Sequence, residues 1–227
     1  MEYKMEDVRN WVHKTVGNNA WEKFHDNTKA DLQTAVAFYW TFESSDDAID
    51  YASSIIPIMK SLEYELRIQF YDPYLKYLKT HYTPEQYANE ILQENDKDDF
   101  AQAAELKWMV IRDNGGLAFV EAENNNIYTL GNFIYTVSNG NRNETRIDRP
   151  FLNYCRECLF EGYEISNNKI RTWIHSIILG VRTQQKVRNE SAHGGSVQNK
   201  MDATKVMEEV VSVEKLLASI KHPSFLK

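Results

Sequence analysis

Cysteine is almost missing from this chain: Cys155 and Cys158 are its only two in 227 residues. Two thiols cannot build a disulfide framework, and without a second such pair they cannot close a zinc site. Their C-x-x-C spacing is also that of a redox motif, but no βαβ pattern precedes it. The pair reads as two structural neighbours on a helix. Glycine and proline are scarce as well, at 9 and 5, which excludes a turn-rich β-sandwich and low-complexity tracts. No run approaches eighteen apolar residues, and the opening MEYKMEDVRNW is too polar for a signal peptide. The expectation is a soluble, cytoplasmic protein without membrane contact. Positive charge is also in deficit, 26 Lys and Arg against 33 Asp and Glu. That disfavours unspecific binding of nucleic acid over the whole surface.

What is present is enough to bury a core: 42% apolar and 26% charged residues. The charge is unevenly spread. Residues 140–200 hold ten basic side chains against six acidic ones, a balance of +4, so with a net charge of −7 the remainder carries −11. A basic segment on an acidic body suits a local phosphate site.

The apolar pattern is mostly helical. Leu32, Ala35, Val36, Tyr39 and Phe42 form one face. A second stripe runs from Ala48 through Ala52, Ile55, Met59, Leu62 and Leu66 to Phe70, with Asp46 and Asp47 at its start. Pro57 should kink or split that helix, and Asp72-Pro73 should end it. Val8, Trp11, Val12 and Trp21 mark one or two short helices before it. Late in the chain, Ile170, Trp173, Ile174, Ile177, Ile178 and Val181 fall at helical spacing, capped by Asn167 or Asn168. Asp202 should open a last helix whose stripe is Ala203, Val206, Met207, Val210, Val213, Leu217 and Ile220, stopped by Pro223. Between the halves the pattern weakens. Ala101–Ile111 reads as a helix, Asn114-Gly115-Gly116 and Asn139-Gly140-Asn141 as turns, Leu117–Ala122 as a possible extended piece, and Thr129–Val137 as a short helix or a strand. The whole predicts an all-α antiparallel four-helix-type bundle, read as a single domain over 1–227. Its core helices span about 28–72 and 165–221, behind an N-terminal helical extension and around an insertion at about 73–160.

The chemistry concentrates between the last two helices, in Val187-Arg188-Asn189-Glu190-Ser191-Ala192-His193-Gly194-Gly195. Arg188 follows Val181 by seven residues and Ile174 by fourteen, so a continued helix projects it from the apolar stripe. A guanidinium there needs an anion, a carboxylate or a partner chain. Arginine offers a planar fork of donors to phosphate. Histidine titrates near neutrality and can move the proton of a 2′-hydroxyl or of a leaving oxygen. Asparagine can orient either. The bland alternative pairs Arg188 with a core carboxylate, Glu63 or Glu65, and leaves His193 satisfied at a helix start. A plain i,i+4 pair of Glu63 with Arg67 is the simpler expectation for that carboxylate. His13, His25, His81, His175 and His222 are scattered singly and suggest no metal site.

Arg188-Asn189-x-x-x-His193, standing between the last two helices, resembles the R-x4-6-H signature of the HEPN superfamily. The RNxxAH wording and the position between helices carry the resemblance. The segment Met59-Lys60-Ser61-Leu62-Glu63-Tyr64-Glu65-Leu66 is similar to the helix that packs against the motif in that family. The resemblance covers about 55–70 and 165–220. It implies a metal-independent endoribonuclease, needing no cofactor, that acts as a homodimer in antiphage defence, toxin–antitoxin or stress systems, with a regulatory protein as a further partner. Arg188, Asn189 and His193 would be catalytic, and Arg182 and Lys186 would contact RNA. Arg142, Arg146 and Arg149 are more distant basic residues. One departure stands out. Toxins of the family that a nucleotidyltransferase partner silences carry Tyr two residues after the His, where this chain has Gly195. The rival readings are a non-catalytic HEPN-like module that binds RNA, nucleotide or protein, and a helical scaffold.

Overall fold

A computed structural model describes residues 4–43, 50–95, 109–120, 129–138, 147–192 and 199–218. The described chain is mostly helical. No helix in it is long and apolar enough to cross a membrane. Two compact units emerge, Met1–Glu65 with Leu179–Ser224, and Leu66–Ile178 with Phe225–Lys227.

The first unit is built from α1 (Met5–Val16), α2 (Asn18–Trp21), α3 (Asp26–Glu43) and most of α4 (Ala52–Leu66). The end of α9 (Asn167–Ala192) and all of α10 (Lys200–Ala218) complete it. Val8, Val12 and Val16 recur at a spacing of four and put one buried face of α1 on the core. The stripes on α3, α4 and α10 are buried as their periodicity predicts, from Leu32 and Val36 through Ile55 and Leu62 to Val210 and Val213. Pro57 does not split α4. Asp46, Asp47, Ile220 and Pro223 lie outside the described residues.

Within this unit α9 and α10 approach closely at Gly180. A Cβ there would overlap Cγ2 of Val213, which is buried and, being β-branched, has little rotamer freedom. Alanine is the better helix former by about 1 kcal/mol, but forced overpacking costs about 1–3 kcal/mol. Gly180→Ala should therefore lower the unfolding free energy measured in urea. A stabilised variant would show that the helices can part without loss.

The second unit holds a π-helical turn at Arg67–Tyr71, then α5 (Asp72–His81) and α6 (Pro84–Asn95). Asp72-Pro73 thus does not end helical structure. The π turn carries the Asp72 N–H to the Arg67 carbonyl, and Pro73 falls in the first turn of α5, where its missing N–H costs nothing. The stretch assigned to a helix at 101–111 also needs correction. Val110–Asp113 is strand β1, paired antiparallel with β2 (Gly116–Phe119) in register Val110 to Phe119. Asn114 and Gly115 have φ of 47° and 87°, the geometry of a two-residue hairpin turn. Residues 101–108, like the 139–141 turn, lie outside the described residues. The segment after Thr129 is helix α7 (Leu130–Val137), and α8 (Arg149–Tyr154) follows.

Cys155 and Cys158 sit in a second π-helical turn, Cys155–Leu159. Both are free thiols, Cys155 buried and Cys158 exposed. Burial pushes both thiols up, and Glu157 and Glu161 push Cys158 further, away from the thiolate.

Helix caps fall one to three residues earlier than expected. Ser166, rather than Asn167 or Asn168, caps α9 by accepting from the Lys169 N–H at 3.3 Å. Asn199 caps α10 by accepting from the Asp202 N–H at 2.9 Å, and Asp202 accepts in return from the Asn199 N–H at 3.3 Å. The reciprocal pair satisfies two otherwise orphaned donors.

Candidate functional site

The RNESAH segment starts in the last turns of α9. Val181 and Gln184 are fully buried, and Arg188 continues their stripe to where α9 leaves the core, with its side chain 36% exposed. Its Nε lies 3.8 Å from Oε1 of Glu63 on α4, a carboxylate 19% exposed. The carboxylate partner weighed from the sequence is therefore present across the helices. Arg67 meets Asp72 at 3.3 Å. At 3.8 Å the Arg188–Glu63 contact is Coulombic and too long for a hydrogen bond. Pairs this exposed contribute about 0.2–1 kcal/mol. A phosphate offering bidentate acceptors can displace such a contact.

Asn189 is exposed and lies about 100° round the helix from Arg188. Arg182, Lys186 and Asn189 follow at spacings of four and three, so they share one stripe. Arg182 is half-buried, whereas Lys186 is exposed and sits 4.0 Å from Glu190. The two proposed RNA contacts and Asn189 thus line a polar face, and Arg188 occupies the edge between that face and the core. His193 lies outside the described residues, as do Arg142 and Arg146. Arg149 pairs with Glu90 at 3.6 Å in the second unit. Among the described residues no three His, Cys, Asp or Glu side chains are grouped to hold a metal ion.

Of two further carboxylates in this unit, Glu65 was weighed from the sequence only as a partner for Arg188, and Glu214 went unnoticed. Glu65 is completely buried, and its Oε1 accepts from the His25 N–H at 2.9 Å, at the entry to α3. A carboxylate there meets the positive end of the helix dipole. Glu214, also completely buried, faces Ser61. Ser61 Oγ is within bonding distance of both the Ile58 carbonyl, at 2.7 Å, and Glu214 Oε1. One hydroxyl proton cannot serve two acceptors. A protonated Glu214 resolves this by donating to Ser61, which then donates to Ile58. Burial agrees: it pushes the Glu214 carboxyl well above its ordinary 4.5, with Glu65 and Asp31 raising it further against the Ser61 bond. Glu214 was legible as an exception, since it falls four after Val210 and three before Leu217 on the apolar stripe.

A carboxyl raised in the folded state binds more protons there than when unfolded. Its stabilising contribution is complete below about pH 4.5 and declines as pH rises toward the raised native value. Glu214→Gln keeps a donor to Ser61 but cannot ionise. Urea unfolding from pH 5 to 9 should show wild-type stability declining relative to the variant. Parallel curves would mean that Glu214 is ionised in the fold.

Comparison with protein-family models, curated proteins and solved structures finds no match.

Proposed function

We propose that the chain is a HEPN-like endoribonuclease that cleaves RNA without a metal ion. The observation that carries this reading is Arg188, half-exposed at the edge of the core and tied to Glu63 only by a 3.8 Å contact, inside the wording RNESAH. Helical segments of the first unit at 26–43, 52–65, 179–192 and 200–218 support this reading. In the reaction the ribose 2′-oxygen attacks the adjacent phosphorus and the bond to the 5′-oxygen breaks. A 2′,3′-cyclic phosphate and a 5′-hydroxyl result. His193 transfers the proton, Arg188 stabilises the charge on the phosphoryl oxygens, and Asn189 orients the reacting group. Arg182 and Lys186 hold the flanking backbone. Two proton transfers are needed and each chain offers one motif histidine, so a homodimer would bring two motifs together. A role in phage defence, toxin–antitoxin control or stress, with a regulatory protein partner, belongs to the same reading.

The Glu63 contact favours a second reading. If that carboxylate keeps the guanidinium permanently, the protein is a non-catalytic module that binds RNA, nucleotide or protein. Total RNA incubated with purified protein in EDTA separates the two. Cleavage to cyclic-phosphate ends is expected. Intact RNA, or cuts bearing 5′-phosphate made only with added Mg²⁺, would overturn the nuclease mechanism.

A further inference from the structure

The first unit encloses a cavity of about 160 Å³ that has no part in the RNESAH chemistry. Its walls are apolar and buried: Val12 and Val16 from α1, Leu32 and Val36 from α3, Met207 and Val211 from α10. Protein interiors keep few voids larger than a water molecule. An apolar cavity of ~150 Å³ takes up one benzene ring. The walls are preformed by four packed helices, with Ile58 contributed by α4. Two exposed residues, Trp11 and Glu208, also line the cavity and mark its mouth. Inside, the Tyr39 and Thr204 hydroxyls hydrogen-bond each other at 2.8 Å and offer a ligand one polar handle.

The charge at the mouth selects the ligand. No described lining residue is Lys or Arg, while Glu208 is an acid. An anionic head beside Glu208 would meet its carboxylate, and a neutral or cationic one would not be repelled by it. We infer that this cavity is a binding site for a single-ring aromatic molecule whose polar end is neutral or cationic. The ring fills the space between α1, α3, α4 and α10, and the polar end emerges beside Glu208.

Three near-isosteric probes test this on the full chain: 2-phenylethylamine, 2-phenylethanol and 3-phenylpropionate, followed by tryptophan fluorescence and thermal melting. The amine and the alcohol should bind saturably and raise the melting temperature by about 2–5 °C at millimolar concentration. The carboxylate should bind at least about fivefold more weakly than the amine. Glu208→Gln, an exposed change, should bring the amine to the affinity of the alcohol. Val36→Phe should fill the cavity and abolish binding of all three. The inference fails if no probe binds saturably, if the carboxylate binds as tightly as the amine, or if folded Val36→Phe binds like wild type. Should Val36→Phe not fold, the amine-to-alcohol comparison in Glu208→Gln still decides, because unchanged preference would place the ligand elsewhere.

Discussion

His193→Ala should lose RNA cleavage by about 10²–10⁴-fold, the usual cost of removing a general acid–base group. RNA affinity should persist, because the phosphate contacts come from arginine and lysine rather than from the imidazole. The fold should persist as well. Gly194 and Gly195 follow His193 directly in the sequence and disfavour a continued helix, so the substitution is expected to cost little packing. Gel-resolved cleavage, filter binding and a thermal melt on one preparation distinguish these effects. Arg188→Ala should also abolish cleavage, and it should weaken RNA binding, since it removes a charged phosphate contact. Wild-type cleavage by His193→Ala would sink the nuclease reading and leave the binding module. An unfolded His193→Ala would make the histidine structural.

Phe70→Ala should produce the largest loss of stability among single truncations in the second unit. Phe70 is 1% exposed and its ring lies 5.5 Å from Phe133, 6.0 Å from Phe151 and 5.7 Å from Trp173. It therefore joins α7, α8 and α9 to the π-helical turn that carries it. Removing a buried phenyl group typically costs about 3–5 kcal/mol, and each well-placed ring pair adds about 0.5–1.5 kcal/mol beyond its area. Trp173 should report the transition through its emission, shifting to the red at lower urea in the variant. Phe70→Leu should recover roughly half, because it refills volume without restoring the ring pairs. A loss below about 1 kcal/mol would mean that the neighbouring rings collapse into the space.

The helices of this protein were largely legible in its sequence, because helical periodicity is a local property. The stripe from Ile170 to Val181 and the stripe from Ala203 to Leu217 each recorded its own buried face. Asn114-Gly115 likewise announced its turn, since both residues tolerate the positive φ they adopt. Where competing local signals met, packing decided. Val110 and Ile111 read as the end of a helix until the chain returned at Gly116–Phe119 to pair with them. Pro73 looked like a stop until a π turn rerouted the backbone bonds around it. Arg182 and Lys186 were singled out by their closeness in sequence to the motif, and the proposed chemistry of RNESAH was readable as wording. Only the tertiary structure assigned Glu63 to Arg188, seated Glu65 at the start of α3, paired Glu214 with Ser61 and left a cavity behind Trp11. Periodicity states which face of a helix is buried, not which helix it meets. Partners, protonation and voids are properties of that meeting.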